Sequence, residues 1–243
     1  MKIDIRHNPS FAVARLTLDA GEQVRAESGS MMMHQNITID AKAEGGMLKS
    51  LKRATLGGES FFITTFTAGN GGGWVDVAPN LPGDVVVIDV PSSGLIIQRG
   101  SWLANTTDVT IETQWGGMKN LVGGEGGFAI TATGNGPVVI GCYGALDVIN
   151  LQPNEKLVVD SGHMVAYEAN VNCQLTRATA GIANMVKSAE GFVLEFTGPG
   201  RVWTQSRSPR GLISWLAPQL GSTQQGSGPG GAIASLGGLL GRD

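Results

Sequence analysis

Apolar and polar residues alternate along short runs closed by glycine-rich turns, and one such run occurs three times. Phe62-Ile63-Thr64-Thr65-Phe66-Thr67 aligns without a gap to Phe128-Ala129-Ile130-Thr131-Ala132-Thr133 and to Phe192-Val193-Leu194-Glu195-Phe196-Thr197, at separations of 66 and 64 residues. A period of two predicts half-buried strands, with Phe62, Phe128 and Phe192 facing a core. Each run ends in a turn, at Ala68-Gly69-Asn70-Gly71, Gly134-Asn135-Gly136-Pro137 and Gly198-Pro199-Gly200, and an apolar run resumes at Trp74, Val138 and Val202. Glycine reaches the positive φ values that tight strand reversals require, so each copy predicts a hairpin.

A second pattern precedes each hairpin. It reads Leu18, Gly21-Glu22 and Gly29-Ser30-Met31, then Leu81, Gly83-Asp84 and Gly100-Ser101-Trp102, then Leu151, Asn154-Glu155 and Gly162-His163-Met164. The acid-to-glycine distance is 7 residues in the first and third copies and 16 in the second, which predicts an insertion near Val90-Pro91-Ser92-Ser93-Gly94-Leu95. Between the two patterns lie short stretches of helical character, Met47–Arg53, Met118–Leu121 and Ile182–Lys187. The order predicts three repeats, at about 18–80, 81–150 and 151–209, within one compact unit over 1–217. A unit of this size with few helices struggles to close a core alone, whereas three packed together share one.

Composition sharpens this picture. The 243 residues include 37 glycines and 10 prolines, with 42% apolar and only 15% charged residues. That balance favours many short strands and excludes a coiled coil, a collagen and a disulfide mini-protein. A formal charge of −3 argues against a general nucleic-acid binder, because phosphate neutralisation needs surplus Lys and Arg. Cys142 and Cys173 cannot form a metal knuckle and read as reduced, buried thiols. The start lacks the apolar stretch of a signal peptide, and no segment approaches the ~20 apolar residues of a membrane helix. A cytoplasmic chain is the expectation. Residues 218–243 form a Gly-rich tail that predicts a flexible extension, interrupted by Ile233, Leu236, Leu239 and Leu240 as a segment able to dock.

The threefold recurrence of Leu18-Asp19-Ala20-Gly21-Glu22, Ser28-Gly29-Ser30-Met31, Gly123-Gly124-Glu125-Gly126-Gly127-Phe128 and the Phe-to-Thr hairpin resembles the altered-inheritance-of-mitochondria protein 24 family over about 1–217. The resemblance implies an all-β fold of three tandem β-sandwich repeats, each similar to the tryptophan RNA-binding attenuation protein domain, about a pseudo-three-fold axis. It also implies homo-oligomers, with trimers favoured. It rests on a distributed pattern and carries no catalytic motif.

Candidate chemistry is sparse. His7, His34 and His163 have no metal-ligand spacing, and His163 stands where the other copies hold Ser30 and Ser101. Glu59, Glu125 and Glu190 recur beside glycines, where an acid accepts backbone N–H bonds at a hairpin start; three converging carboxylates would instead bind a cation. Ser28, Ser30 and Ser161 lack a nucleophile elbow, and Gly123–Gly127 lacks the Gly-Lys-Ser/Thr of a phosphate loop. Lys49, Lys52 and Arg53, with Arg201, Arg207 and Arg210, read as solvated surface before they read as an RNA contact.

The expectation is a non-enzymatic oligomeric scaffold or adaptor with a protein partner. No catalytic residue, cofactor or metal site is assigned, DNA is not expected, and RNA is disfavoured. A small-ligand or RNA-binding module using a crevice between repeats is the alternative. With so few charges to cover the surface, some of Trp74, Trp102, Trp115, Trp203 and Trp215 are expected to line a subunit contact with Leu212, Ile213 and Leu216.

Overall fold

A computed structural model describes residues 1–42, 63–113, 129–176 and 193–220. After a leading strand β1 (Lys2–Arg6), six strands form a first repeat: β2 (Val13–Leu18), β3 (Gln23–Glu27), β4 (Met31–Gln35), β5 (Ile37–Lys42), β6 (Ile63–Ala68) and β7 (Gly73–Val77). The second repeat holds β8 (Val85–Asp89), β9 (Leu95–Gln98), β10 (Trp102–Thr106), β11 (Val109–Thr113), β12 (Ala129–Gly134) and β13 (Pro137–Gly141). The third holds β14 (Leu146–Leu151), β15 (Lys156–Asp160), β16 (Met164–Glu168), β17 (Asn172–Thr176), β18 (Val193–Thr197) and β19 (Gly200–Gln205). The all-β expectation is met.

Each repeat splits its strands between two sheets in the same order. The first, sixth and third pair as β2-β7-β4, β8-β13-β10 and β14-β19-β16, and the fourth, fifth and second as β5-β6-β3, β11-β12-β9 and β17-β18-β15. Side chains from both sheets meet between them, as Leu16, Val24, Phe66 and Val75 do in the first repeat and Leu194, Phe196 and Val202 in the third. Alternation builds this layer. Along β6 the buried Ile63, Thr64, Phe66 and Ala68 leave only Thr65 and Thr67 part-exposed.

Repeats join by strand pairing. Strand β3 pairs with β10, and β9 with β16, so that two six-stranded sheets run across the junctions. The chain-start ends of the repeats also touch. The Ala12 amide donates to the Gly83 carbonyl at 2.9 Å, and the Asp84 amide donates to that of Gly144 at 3.0 Å. Gly83 and Gly144 form a bridge so close that a Cβ on Gly83 would stand 1.9 Å from the Cys142 carbonyl oxygen. The row is open. A closed three-fold arrangement needs a third junction, β4 on β15, and among the described residues each of these two strands is the edge of its sheet.

The expected insertion is absent. Asp84 precedes β8, whereas Glu22 and Glu155 follow the first strands of their repeats, so the acids are not equivalent. Pro91–Gly94 makes the same reversal as Asp19–Glu22 and Gln152–Glu155: the Gly94, Glu22 and Glu155 amides donate to the carbonyls of Pro91, Asp19 and Gln152. Each repeat therefore begins at Val13, Val85 and Leu146, and the expected borders at 18 and 151 cut off a strand. The compact unit spans Met1–Ser208, ending before the expected 217, and Pro209–Asp243 is a second unit whose described part is helix α1 (Pro209–Leu220). Phe62, Phe128 and Phe192, and the three stretches of helical character, lie outside the described residues.

Candidate functional site

The residues singled out by the sequence fall at separate places. Glu59, Glu125, Glu190, Gly123–Gly127, Lys49, Lys52, Arg53 and Trp115 lie outside the described residues. His7 closes the turn after β1, its carbonyl accepting the Phe11 amide at 3.3 Å. His163 ends the short 3-10 turn Ser161–His163 with Nδ1 2.7 Å from the Gln205 carbonyl oxygen. His34 lies exposed on β4. Ser28 and Thr64 share a hydroxyl hydrogen bond of 2.9 Å, and Ser30 donates to the Glu27 carbonyl. Among the described residues no three His, Cys, Asp or Glu stand close enough together to hold a metal ion.

One ionic cluster was not legible in the sequence. Asp76, fully buried on β7, accepts from Arg15 Nε at 2.8 Å and Nη2 at 2.9 Å, and from Arg6 Nη2 at 2.5 Å. Antiparallel pairing of β2 with both β1 and β7 sets the geometry, with Arg15 opposite Asp4 on one side and Asp76 on the other. Burial pushes the Asp76 carboxyl up, yet the bonds and charges of Arg15 and Arg6 outweigh it and hold the group below its ordinary value. The Arg15 guanidinium also stacks 3.7 Å above the Trp74 ring. A looser counterpart sits in the third repeat, where Arg201 Nε donates to Glu168 at 2.6 Å and the guanidinium lies 5.0 Å from the Trp203 ring.

Both thiols are held protonated. Burial pushes Cys173 up to about 11, only partly offset by its hydrogen bond with Tyr167. Burial also raises Tyr167, which packs edge-on against Phe196 at 5.2 Å. Cys142 is raised by burial too, and its thiol donates to the Gly144 carbonyl at 3.3 Å. Neither is a ready nucleophile at neutral pH. Buried Asn105 takes the Trp102 indole N–H at 3.0 Å and donates to the Thr106 and Val109 carbonyls, which fixes the turn between β10 and β11.

The surface tells a different story at the two open edges. Strand β4 exposes Met31, Met32 and Met33 together, and β15 exposes Val158 at 59%. Trp102 and Trp203, by contrast, are buried within their repeats.

These features define a class: an all-β protein whose six-strand order recurs three times in a row, with Asp76 and Asn105 buried and hydrogen-bonded within the fold and, among the described residues, apolar edge strands left at the two ends. The family model described as Mitochondrial biogenesis AIM24 matches residues 3–207, and the chain belongs to that family. It is 28% identical over 216 residues to an uncharacterised protein of Streptococcus pyogenes serotype M6, covering 85% of this chain and 86% of the relative. It also resembles the X-ray crystal structure of a Streptococcus pyogenes protein, with a TM-score of 0.76 and 25% identity, over 90% of this chain and 99% of the other. No helix among the described residues is long and apolar enough to cross a membrane.

Proposed function

We propose that this protein works without catalysis, as a scaffold or adaptor that assembles with copies of itself and holds other proteins. The observation that carries this reading is the use made of its buried polar groups. Asp76 neutralises two arginines, Asn105 fixes a turn, and Cys142, Cys173 and Tyr167 are kept protonated by burial. Each is committed to holding a sandwich together, while an active site needs groups poised near the working pH. Apolar side chains left exposed in a group, as Met31–Met33 are, mark an interface more often than a catalytic cleft.

Native mass spectrometry of the protein isolated from its own cells tests this. The expected result is multiples of the chain mass with protein partners attached. A stoichiometric small molecule or RNA on the isolated chain would overturn the reading in favour of a binding module.

A further inference from the structure

The two junctions inside the chain share one register. Ala26 stands opposite Ala104 and Ile97 opposite Ala166; Arg25 faces Asn105 and Ile96 faces Tyr167; Val24 faces Thr106 and Leu95 faces Glu168. Pairing within the repeats identifies the third member of each set. Leu157 lies opposite Phe196 on β18 as Val24 lies opposite Phe66 and Leu95 opposite Ala132. On the other side, His34 lies opposite Val75 as Tyr167 lies opposite Val202 and Asn105 opposite Val138. Leu157, Val158 and Val159 therefore stand where two strands of this chain meet a neighbour, as do Gln35, His34 and Met33, and among the described residues neither trio has a strand on its outer side.

The edges keep the shape of junction strands. A register shift occurs between Met31 and Met33 on β4, between Trp102 and Ala104 on β10, and between Met164 and Ala166 on β16. A bulge is a common way to blunt an edge strand, but this one sits in two strands paired on both sides, so it belongs to the junction and does not block it. Exposure marks what is missing. Ile96 is 7% exposed and packs in the third repeat's core, whereas its counterpart Val158 is 59% exposed; Ala104 and Ala166 are fully buried, whereas Met33 is 39% exposed.

We propose that β15 of one copy pairs antiparallel with β4 of a second copy, placing Val158 opposite His34, Val159 opposite Met33 and Leu157 opposite Gln35. The occupant is a second copy because this chain already makes the same joint twice and carries the two halves of a third at the two ends of its row. The contact is head-to-tail, so each added copy presents a fresh β4 or β15 until the row closes on itself. The inference rests on the self-assembly half of the proposed function and names its surface.

Cysteine pairs test it, because directly opposed residues in an antiparallel pair fall within disulfide reach. His34→Cys and Val158→Cys alter exposed side chains, and circular dichroism checks that each variant folds. On mild oxidation, a mixture of the two variants should give a disulfide dimer as the main product, while either variant alone and the wild type stay uncrosslinked. Replacing Val158→Cys by Lys156→Cys moves the thiol two residues along the strand and should remove most of the dimer. Dimers of His34→Cys alone would overturn the proposal, as would an intrachain disulfide in the double variant, which would mean that the row closes within one chain. If the mixture fails to crosslink while the wild type still sediments as an oligomer, the edge pairing falls and the scaffold reading stands. If the wild type is a monomer throughout, both fall.

Discussion

His34 and Tyr167 hold the same place in their repeats, each opposite a valine in the middle of the last strand, Val75 and Val202, and only Tyr167 is covered. Tyr167 is covered because Ile96 of the preceding repeat lies across from it. The difference lies in the neighbour and not in the strand. One sandwich design thus gives a buried joint inside the chain and an open one at its end.

Asp76 joins β1, β2 and β7 through charge. Asp76→Asn should lower stability by about 3 kcal/mol at pH 7, since it leaves two arginines facing a buried neutral amide. The carboxyl's folded-state value lies below its unfolded one, so its contribution is complete above about pH 4 and is lost as the pH falls through the folded-state value. Urea unfolding should therefore show a wide gap between wild type and variant at pH 7 that narrows toward pH 3. A constant gap would separate the loss from the carboxylate charge.

Phe66 and Phe196 occupy equivalent positions on β6 and β18 and are buried in two different cores. Phe66→Ala and Phe196→Ala should each cost about 3–5 kcal/mol in chemical denaturation. Values below 1 kcal/mol would show that the sandwiches are not packed on these rings.

The hairpins were legible because their signals are local. Gly-Asn-Gly and Gly-Pro-Gly announce a reversal, and the gapless alignment of the Phe-to-Thr runs matches the register of Ile63–Phe66, Ala129–Ala132 and Val193–Phe196 against their second strands. The first strands were misplaced because Asp84 mimics Glu22 and Glu155 in sequence while standing before its strand. The second repeat uses Pro91 and Gly94 for the turn that the others build around an acid. The Asp76 cluster was hidden for another reason. Its arginines lie 61 and 70 residues away, and only the sheet order brings them together. Open edges leave no mark on a single strand, since Met31–Gln35 reads like any partner-bearing strand until the topology shows who is missing.

Glycine just before β8 admits no side chain. Gly83→Ala would place a Cβ against the Cys142 carbonyl, backbone against backbone, and must push the chain entering β8 away from the chain leaving β13. Gly21→Ala meets no atom and bears only the strain of φ +75°, about 1 kcal/mol. Thermal melting should rank Gly83→Ala well below Gly21→Ala. The reverse order would contradict the close approach of Gly83 to Cys142 and Gly144.

Burial should silence both thiols. At pH 8 a disulfide reagent such as Ellman's should react with Cys142 and Cys173 far more slowly in the folded protein than in urea, where their values return to the ordinary thiol range. Rapid release of one equivalent from the folded chain would reveal a reactive cysteine and weaken the non-catalytic reading.

Sedimentation velocity across a range of concentrations, on the wild type and on Val158→Lys, tests most directly whether the open row assembles through its edge. The wild type should sediment as multiples of the 25.2 kDa chain, and Val158→Lys, with a charge placed on the exposed edge of a folded monomer, as a single chain. A wild type that stays at 25.2 kDa at every concentration, or a Val158→Lys variant that assembles unchanged, would contradict it.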